Sequence, residues 1–158
     1  MATLKPVQIA GWLKDVNDNF DTVETAITKI EGLNVTKFTF DTAANDANTT
    51  PASNKTVAAH PLAVKIPDNA IIVYGHIDVI AAVTSDGDAT VAIHLATAAD
   101  LLAATAKANL TLAAQLPMAA VIAAPIKLSA EKAITVTVGA AALTAGKIDG
   151  YLYWVEGA

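Results

Sequence analysis

The stretch IIVYGHIDVIAAV at residues 71–83 decides the fold, because it is the longest β-strand candidate in the chain. β-Branched and aromatic residues, which favour strands, dominate it. It is followed by TSDGD at residues 84–88, which has the composition of a turn, and by a second strand candidate at residues 90–95. From this stretch outward we expect antiparallel β structure.

The remainder of the C-terminal region repeats this pattern of short strand candidates separated by proline and glycine turns. They lie at residues 35–40, 62–66, 110–113, 120–123, 126–128, 133–138 and 147–155. Residues 100–107 predict a short helix, with Asp100 as its N-cap. Closely spaced short strands of this kind predict a mainly β protein with an antiparallel β-sandwich or jelly-roll-like domain.

The turn at residues 84–88 allows two ways of pairing the strands on either side of it. A two-residue loop would leave their apolar sides mismatched, whereas a three-residue loop at residues 85–87 brings them onto one face. The second register places His94 opposite Asp78. Such a pair is a candidate pH-sensitive contact or half of a metal site. An ordinary cross-strand polar pair, worth about 0.2–1 kcal/mol, is the favoured interpretation.

Residues 9–30 carry a different pattern, in which apolar residues recur at alternating four- and three-residue steps. The series is Ile9, Leu13, Val16, Phe20, Val23, Ile27 and Ile30. These are the a and d positions of a heptad, so the pattern predicts an N-terminal α-helix with an apolar seam. Because a short helix is marginal in water alone, we expect the seam to bind copies of itself, as a trimer, or to dock on another protein.

Composition excludes several classes of function. The 158 residues include ten basic side chains, all lysines, and the formal net charge is −5, which argues against nucleic-acid binding. The chain has no cysteine, so it has neither disulfides nor thiolate chemistry. No apolar stretch reaches the roughly 18 residues of a membrane span, and the N-terminus lacks the pattern of a signal peptide. Yet the mean hydropathy is +0.46, which suggests apolar surface buried against other subunits.

No pattern in the sequence supports catalysis or a cofactor. There is no Gly-x-Ser-x-Gly element and no glycine-rich phosphate loop. The loop at residues 85–88 is rich in oxygen ligands, but it lacks the spaced acidic residues of a calcium-binding EF-hand. Tyr151, Tyr153 and Trp154 are candidates for a sugar-binding platform, although packing in a core or at an interface is the favoured interpretation. We therefore expect a non-enzymatic protein without metal or cofactor.

Several of these segments resemble a known group of proteins. Residues 17–26 (NDNFDTVETA) are similar to the short helical heads of bacteriophage fibre and baseplate proteins. The region from about residue 57 to residue 155 resembles small bacteriophage virion proteins of the capsid decoration (cement) or head-fibre type. The segments that carry this resemblance are HPLAV at 60–64, IPDNAI at 66–71, LSAEKAITVTVG at 128–139 and ALTAGK at 142–147.

The resemblance implies a jelly-roll-like β domain on the virion surface, commonly trimeric, and it brings no catalytic residues. Together with the residue patterns it divides the chain into an assembly or docking helix at 1–33, a strand and extended linker at 34–56, and a β-sandwich at 57–158. The expected function is a structural protein that binds and reinforces the capsid surface, with the phage major capsid protein or another virion protein as partner. The alternative is a receptor-binding fibre protein that recognises host glycans.

Overall fold

The computed structural model of the chain describes residues 32–44, 54–98, 100–120 and 123–157. Asn34–Ala158 forms one compact unit, and the preceding unit, Met1–Leu33, lies almost entirely outside the described residues. Among the described residues, no helical segment has the length and apolar character that crossing a bilayer requires. The division of the chain after residues 33 and 56 stays a prediction.

The described part of the chain is built from nine β-strands and one 3-10 turn, Lys107–Asn109. The strands are β1 (Asn34–Asp41), β2 (Ala58–Ile66), β3 (Ala70–Thr84), β4 (Thr90–His94), β5 (Leu102–Ala106), β6 (Gln115–Pro117), β7 (Ile126–Lys127), β8 (Lys132–Gly139) and β9 (Ala145–Glu156). The protein is therefore mainly β, as the strand patterns predicted.

The strands form two antiparallel sheets. Sheet A has the order β1-β9-β3-β6, and the two-residue strand β7 pairs with the same edge of β3 as β6 does. Sheet B has the order β2-β8-β4-β5. The long strand β3 is central to sheet A, because β9 pairs along one edge of it while β6 and β7 pair along the other.

Both sheets turn one face toward a shared hydrophobic core. Alternation in β8 shows how the sequence produces this: Ile134, Val136 and Val138 are buried, while the threonines between them are half-buried on the other side. The largest fully buried side chains come from both sheets and from their connections: Phe38, Phe40, Ile66, Ile72, Ile77, Ile93, Leu101, Leu110, Leu128, Ile134, Ile148 and Leu152. Each such burial contributes about 1.5–3 kcal/mol relative to exposure, so this core supplies most of the driving force.

The fold class needs one correction, which concerns the N-terminal α-helix with a heptad seam. The described residues contain no α-helix, so the structure does not support that part of the prediction. The seam positions Ile9, Leu13, Val16, Phe20, Val23, Ile27 and Ile30 lie outside the described residues. The physical weakness of the prediction is that helical periodicity in a short segment contributes little stability without tertiary packing.

The predicted pairing of β3 with β4 is also wrong. β3 belongs to sheet A, whereas β4 pairs with β8 and β5 in sheet B. The connection crosses between the sheets, and Ser85 fixes it by donating a hydrogen bond to the carbonyl of Ala142 (2.6 Å). Alternation of apolar residues predicts only that β3 and β4 each turn one face to the core. Two strands on opposite sheets meet that requirement as well as two strands of one hairpin do.

The helix predicted at residues 100–107 is replaced by strand β5 and the 3-10 turn. Asp100 does cap backbone N–H groups, but those of the preceding loop: its carboxylate accepts hydrogen bonds from Leu95, Ala96 and Thr97 at 2.8–2.9 Å. The same residue type that caps a helix thus closes the connection between β4 and β5.

Candidate functional site

A polar and aromatic surface covers the side of sheet A that faces away from the core. We call it the outer face and define it by Lys37, Thr39, Tyr74, His76, Asp78, Asp149, Tyr151 and Tyr153. In β9 the even-numbered residues from Gly146 to Leu152 are buried, so Asp149, Tyr151 and Tyr153 lie on the outer side.

An irregularity in β3 completes the outer face. The pairing of β3 with β9 shifts between Ile72 and Tyr74. Ile72 is buried before the shift and Ile77 after it, so the inward-pointing positions change from even to odd numbers. A β-bulge has this effect, because one extra residue reverses the side to which every following side chain points. As a result Tyr74, His76 and Asp78 share the side of Tyr151 and Tyr153.

Four aromatic rings contact one another across β3 and β9. His76 stacks on Tyr151 with ring centroids 5.1 Å apart and planes inclined by 17°. Tyr74 lies 5.6 Å from Tyr153 at a tilt of 47°, and His76 lies 6.0 Å from Tyr153. These pairs follow from the register, in which Tyr74 is opposite Tyr153 and His76 is opposite Tyr151.

A charged group adjoins the rings on the β1 side. Asp149 is only 8% exposed. Its Oδ2 forms an ion pair with Lys37 Nζ (2.7 Å), and its Oδ1 accepts a hydrogen bond from Thr39 Oγ1 (2.7 Å). Lys37 Nζ also lies 5.6 Å from the centre of the Tyr151 ring.

These contacts shift both pKa values. Burial raises the pKa of Asp149, but the hydrogen bonds from Lys37 and Thr39 and the charges of Lys37 and Lys147 outweigh it, so the pKa lies below its usual value. The hydrogen bond to Asp149 raises the pKa of Lys37. Both groups are therefore charged at neutral pH.

Asp78 has no such compensation. It lies directly opposite Asp149 across the β3–β9 pairing and opposite Gln115 across the β3–β6 pairing. Its Oδ1 is buried and has no hydrogen-bond partner, and Asp78 forms no ion pair with any described residue. No described residue therefore neutralises the Asp78 carboxylate of the outer face.

Two adjoining depressions run along the β6 side of the outer face, and both include Gln115. One has a volume of about 340 Å³ and is lined by Asp78, Ile80, Leu112 and Gln115 among others. The other, of about 300 Å³, is lined by Tyr74, His76, Gln115 and Pro117 among others. Ile80 and Leu112 are exposed large hydrophobic side chains, 48% and 67% accessible respectively. A surface that combines rings, apolar side chains and a lone charge has the composition of an interaction site.

The predicted pair of Asp78 and His94 does not form. Asp78 lies in sheet A, while His94 lies in sheet B opposite Thr135. The physical reason is the crossing between β3 and β4, which separates two residues that a hairpin would have paired. Among the described residues, no group of three or more histidine, cysteine or acidic side chains is arranged to hold a metal ion.

The aromatic platform of the sequence is divided between two surfaces. Tyr151 and Tyr153 lie on the outer face, whereas Trp154 packs against the core and its Nε1 donates a hydrogen bond to Thr36 Oγ1 (2.9 Å). Tyr74 and His76 were not predicted as members of this cluster, because the sequence analysis paired β3 with β4 and predicted neither its pairing with β9 nor the bulge. The glycine at position 75 was the available signal, since an isolated glycine in a strand often marks a bulge.

Comparison with known proteins gives no match to a protein family and no match to a curated protein. The fold does resemble solved structures. Chains from the Helicobacter pylori bacteriophage KHP30 capsid and the cyanophage Pam1 capsid have TM-scores of 0.55 and 0.58, at 14% and 12% identity. A chain from the capsid of Ralstonia phage GP4 has a TM-score of 0.53 at 19% identity.

These similarities extend over most of each chain. They cover 80%, 78% and 79% of this chain, and 89%, 84% and 86% of the KHP30, Pam1 and GP4 chains respectively. At such low identity the likeness establishes the fold: this chain shares its β architecture with chains found in three phage capsid structures.

Proposed function

We propose that this chain is a non-enzymatic bacteriophage structural protein that binds the capsid surface, as a decoration (cement) or head-fibre protein. The observation that carries the proposal is the fold, which is shared over about four-fifths of the chain with components of three phage capsids. Fold alone does not determine function, so the proposal also rests on a surface suited to binding. The outer face, with its rings, exposed apolar side chains and unneutralised carboxylate, provides that surface.

The physical action of a cement protein is to add buried area across the boundaries between capsid subunits. An assembly of this kind can bury more than about 2,000 Å², and the free energy of that burial opposes separation of the subunits. In this proposal the core of the two sheets keeps the β domain rigid, and the outer face supplies contacts with the shell. A rigid scaffold limits the conformational entropy lost on binding.

The experiment is to add the purified protein to shells of its own phage from which it has been removed. The proposal predicts saturable rebinding and a higher temperature of shell disruption. If the protein does not rebind, or if it rebinds without raising the temperature of shell disruption, the reinforcing role is wrong.

A receptor-binding role with host glycans as ligands is the second candidate, and the aromatic rings of the outer face favour it. Tyr74 is 43% exposed, and Tyr151 and Tyr153 are half-buried beside it. Aromatic faces and carboxylates are the groups that bind sugars. Binding of the isolated protein to host cells or to a glycan array, without rebinding to shells, would replace the first proposal by this one.

Self-association belongs to the proposal as well. The resemblance to small virion proteins implies a trimer, and light scattering on the purified protein tests it. A mass three times that of the 16.2 kDa chain is expected, and a monomer at micromolar concentration would contradict it.

A further inference from the structure

Asp78 is the one acidic side chain of the outer face whose charge no described residue neutralises. Asp149 is paired with Lys37 at 2.7 Å, and Asp41, at the end of β1, is paired with Lys147 at 3.2 Å. Lys37 and Lys147, two lysines on this side of sheet A, are thus already engaged by other carboxylates. The Oδ1 of the Asp78 side chain is buried without a hydrogen-bond partner.

The position of this charge is unfavourable for the isolated protein. Asp78 and Asp149 lie directly opposite each other in an antiparallel pair, and like charges in that arrangement destabilise a sheet. Lys37 contacts Asp149 from the β1 side, and no described residue forms an ion pair with Asp78 from the β6 side. A local conflict of this kind within an otherwise consistent sheet indicates a functional site.

The surroundings of Asp78 show which group would resolve the conflict. His76 and the tyrosine rings lie on one side of it along β3 and β9, and the depression formed with Ile80 and Leu112 lies on the other. Aromatic rings attract cations through their negative faces, and the apolar depression accommodates an aliphatic stem. A carboxylate between these two features is a binding site for a long basic side chain.

We propose that Asp78 receives a lysine or arginine side chain from another virion protein, and that its charge directs docking of the outer face onto that partner. The inference rests on the function proposed above and names the residue and the chemistry of the contact. Charge complementarity favours a cationic protein partner over a glycan, because a neutral sugar leaves the charge of Asp78 uncompensated.

The first part of the test measures the stability of the isolated protein. Removing the charge with Asp78→Asn relieves the repulsion from Asp149, so the melting temperature should rise by about 1–4 °C. Asp88→Asn is the matched control, since it makes the same change of charge at an exposed position in the connection between β3 and β4. A fall in melting temperature for Asp78→Asn alone would mean that the carboxylate stabilises the fold, which overturns the proposal.

The second part measures binding of the same variants to shells of the phage that lack this protein, at several NaCl concentrations. Asp78→Asn should bind about tenfold more weakly than the wild type or Asp88→Asn, and its affinity should depend less on salt. If the wild type binds and Asp78→Asn binds with the same affinity, this inference is overturned, but the proposed function is not. Failure of the wild type to bind overturns both.

Two further outcomes identify a different occupant of the face. If Asp78→Asn dissociates an oligomer of the purified protein and leaves shell binding intact, the partner is a second copy of this chain. If it abolishes binding to a glycan array instead, the ligand is a sugar. Either result contradicts a cationic contact with another virion protein.

Discussion

Phe38 of β1 and Gly150 of β9 lie directly opposite each other in sheet A. A Cβ atom built on Gly150 would lie 2.1–2.7 Å from three carbons of the Phe38 ring. The ring occupies the space that any side chain at position 150 would need, so glycine is required here by packing. Among the described residues, three that are not glycine have positive φ, at 61–62°: Asn69, Ala113 and Ala140.

Gly150→Ala should lower the free energy of unfolding by about 1–3 kcal/mol, because the added methyl group overpacks the core against the Phe38 ring. Urea denaturation measures the change. The double variant with Phe38→Leu should lose less than the sum of the two single losses, since the smaller side chain makes room for the methyl group. Gly32→Ala is the control, because its Cβ would meet nothing within 4 Å. Equal effects at positions 32 and 150 would contradict this account of the packing.

Ala140→Gly should raise the free energy of unfolding by about 0.5 kcal/mol. A left-handed conformation costs alanine about 1–2 kcal/mol, which exceeds the entropy that glycine loses on folding. Ala142→Gly, also exposed but without positive φ, should lower it instead. Thermal unfolding of the two variants gives the comparison, and a loss of stability in both would show that φ at position 140 carries no strain.

Single elements of this protein were largely predictable from the sequence. The strands at residues 35–40, 71–83, 133–138 and 147–155 lie within β1, β3, β8 and β9, because alternation of apolar and polar residues specifies a half-buried strand locally. Pairing depends on contacts that alternation does not encode. Hence the sequence predicted the pairing of β3 with β4, and it predicted neither the pairing of β3 with β9 nor the bulge between Ile72 and Tyr74.

The contact between β1 and β9 through Lys37 and Asp149 should make stability depend on pH. The lowered pKa of Asp149 means that the contact stabilises the fold above the usual carboxyl pKa of 3.8 and that this contribution is lost as pH falls through the folded value. Lys37→Met should therefore be less stable than the wild type at pH 7, with the difference shrinking below about pH 4.

At high pH the same ion pair is lost for a different reason. The pKa of Lys37 in the folded protein lies above 10.5, so the stability that the pair contributes is lost as pH rises through that pKa. Lys65→Met is the matched control, because its partner Glu131 is exposed and the pair is solvated at both ends. Denaturation midpoints between pH 3 and pH 8 test the acid side, and midpoints between pH 8 and pH 11 test the alkaline side. A difference between wild type and Lys37→Met that does not change with pH would contradict the assigned contact.

At the scale of the whole molecule, the sequence predicted a mainly β domain, which the structure confirms, but not the outer face of sheet A on which the proposed function rests. The strand patterns predicted a β-rich protein, and the resemblance to small bacteriophage virion proteins implied its place in the virion. The sequence analysis predicted that the N-terminal seam mediates assembly, whereas the proposed binding surface is the outer face of sheet A. That face is formed by residues far apart in the chain, such as Lys37, Asp78 and Asp149. A local sequence pattern does not predict that such residues come together.

The most direct test of the central claim, that this chain binds the capsid surface through the outer face of sheet A, is a reconstruction of the intact phage particle by electron cryomicroscopy. We predict density for the β domain on the capsid exterior, with Tyr74, His76 and Asp78 within about 4 Å of another virion protein and a basic side chain beside Asp78. Density located elsewhere in the particle, or an outer face that points to solvent, would contradict the claim.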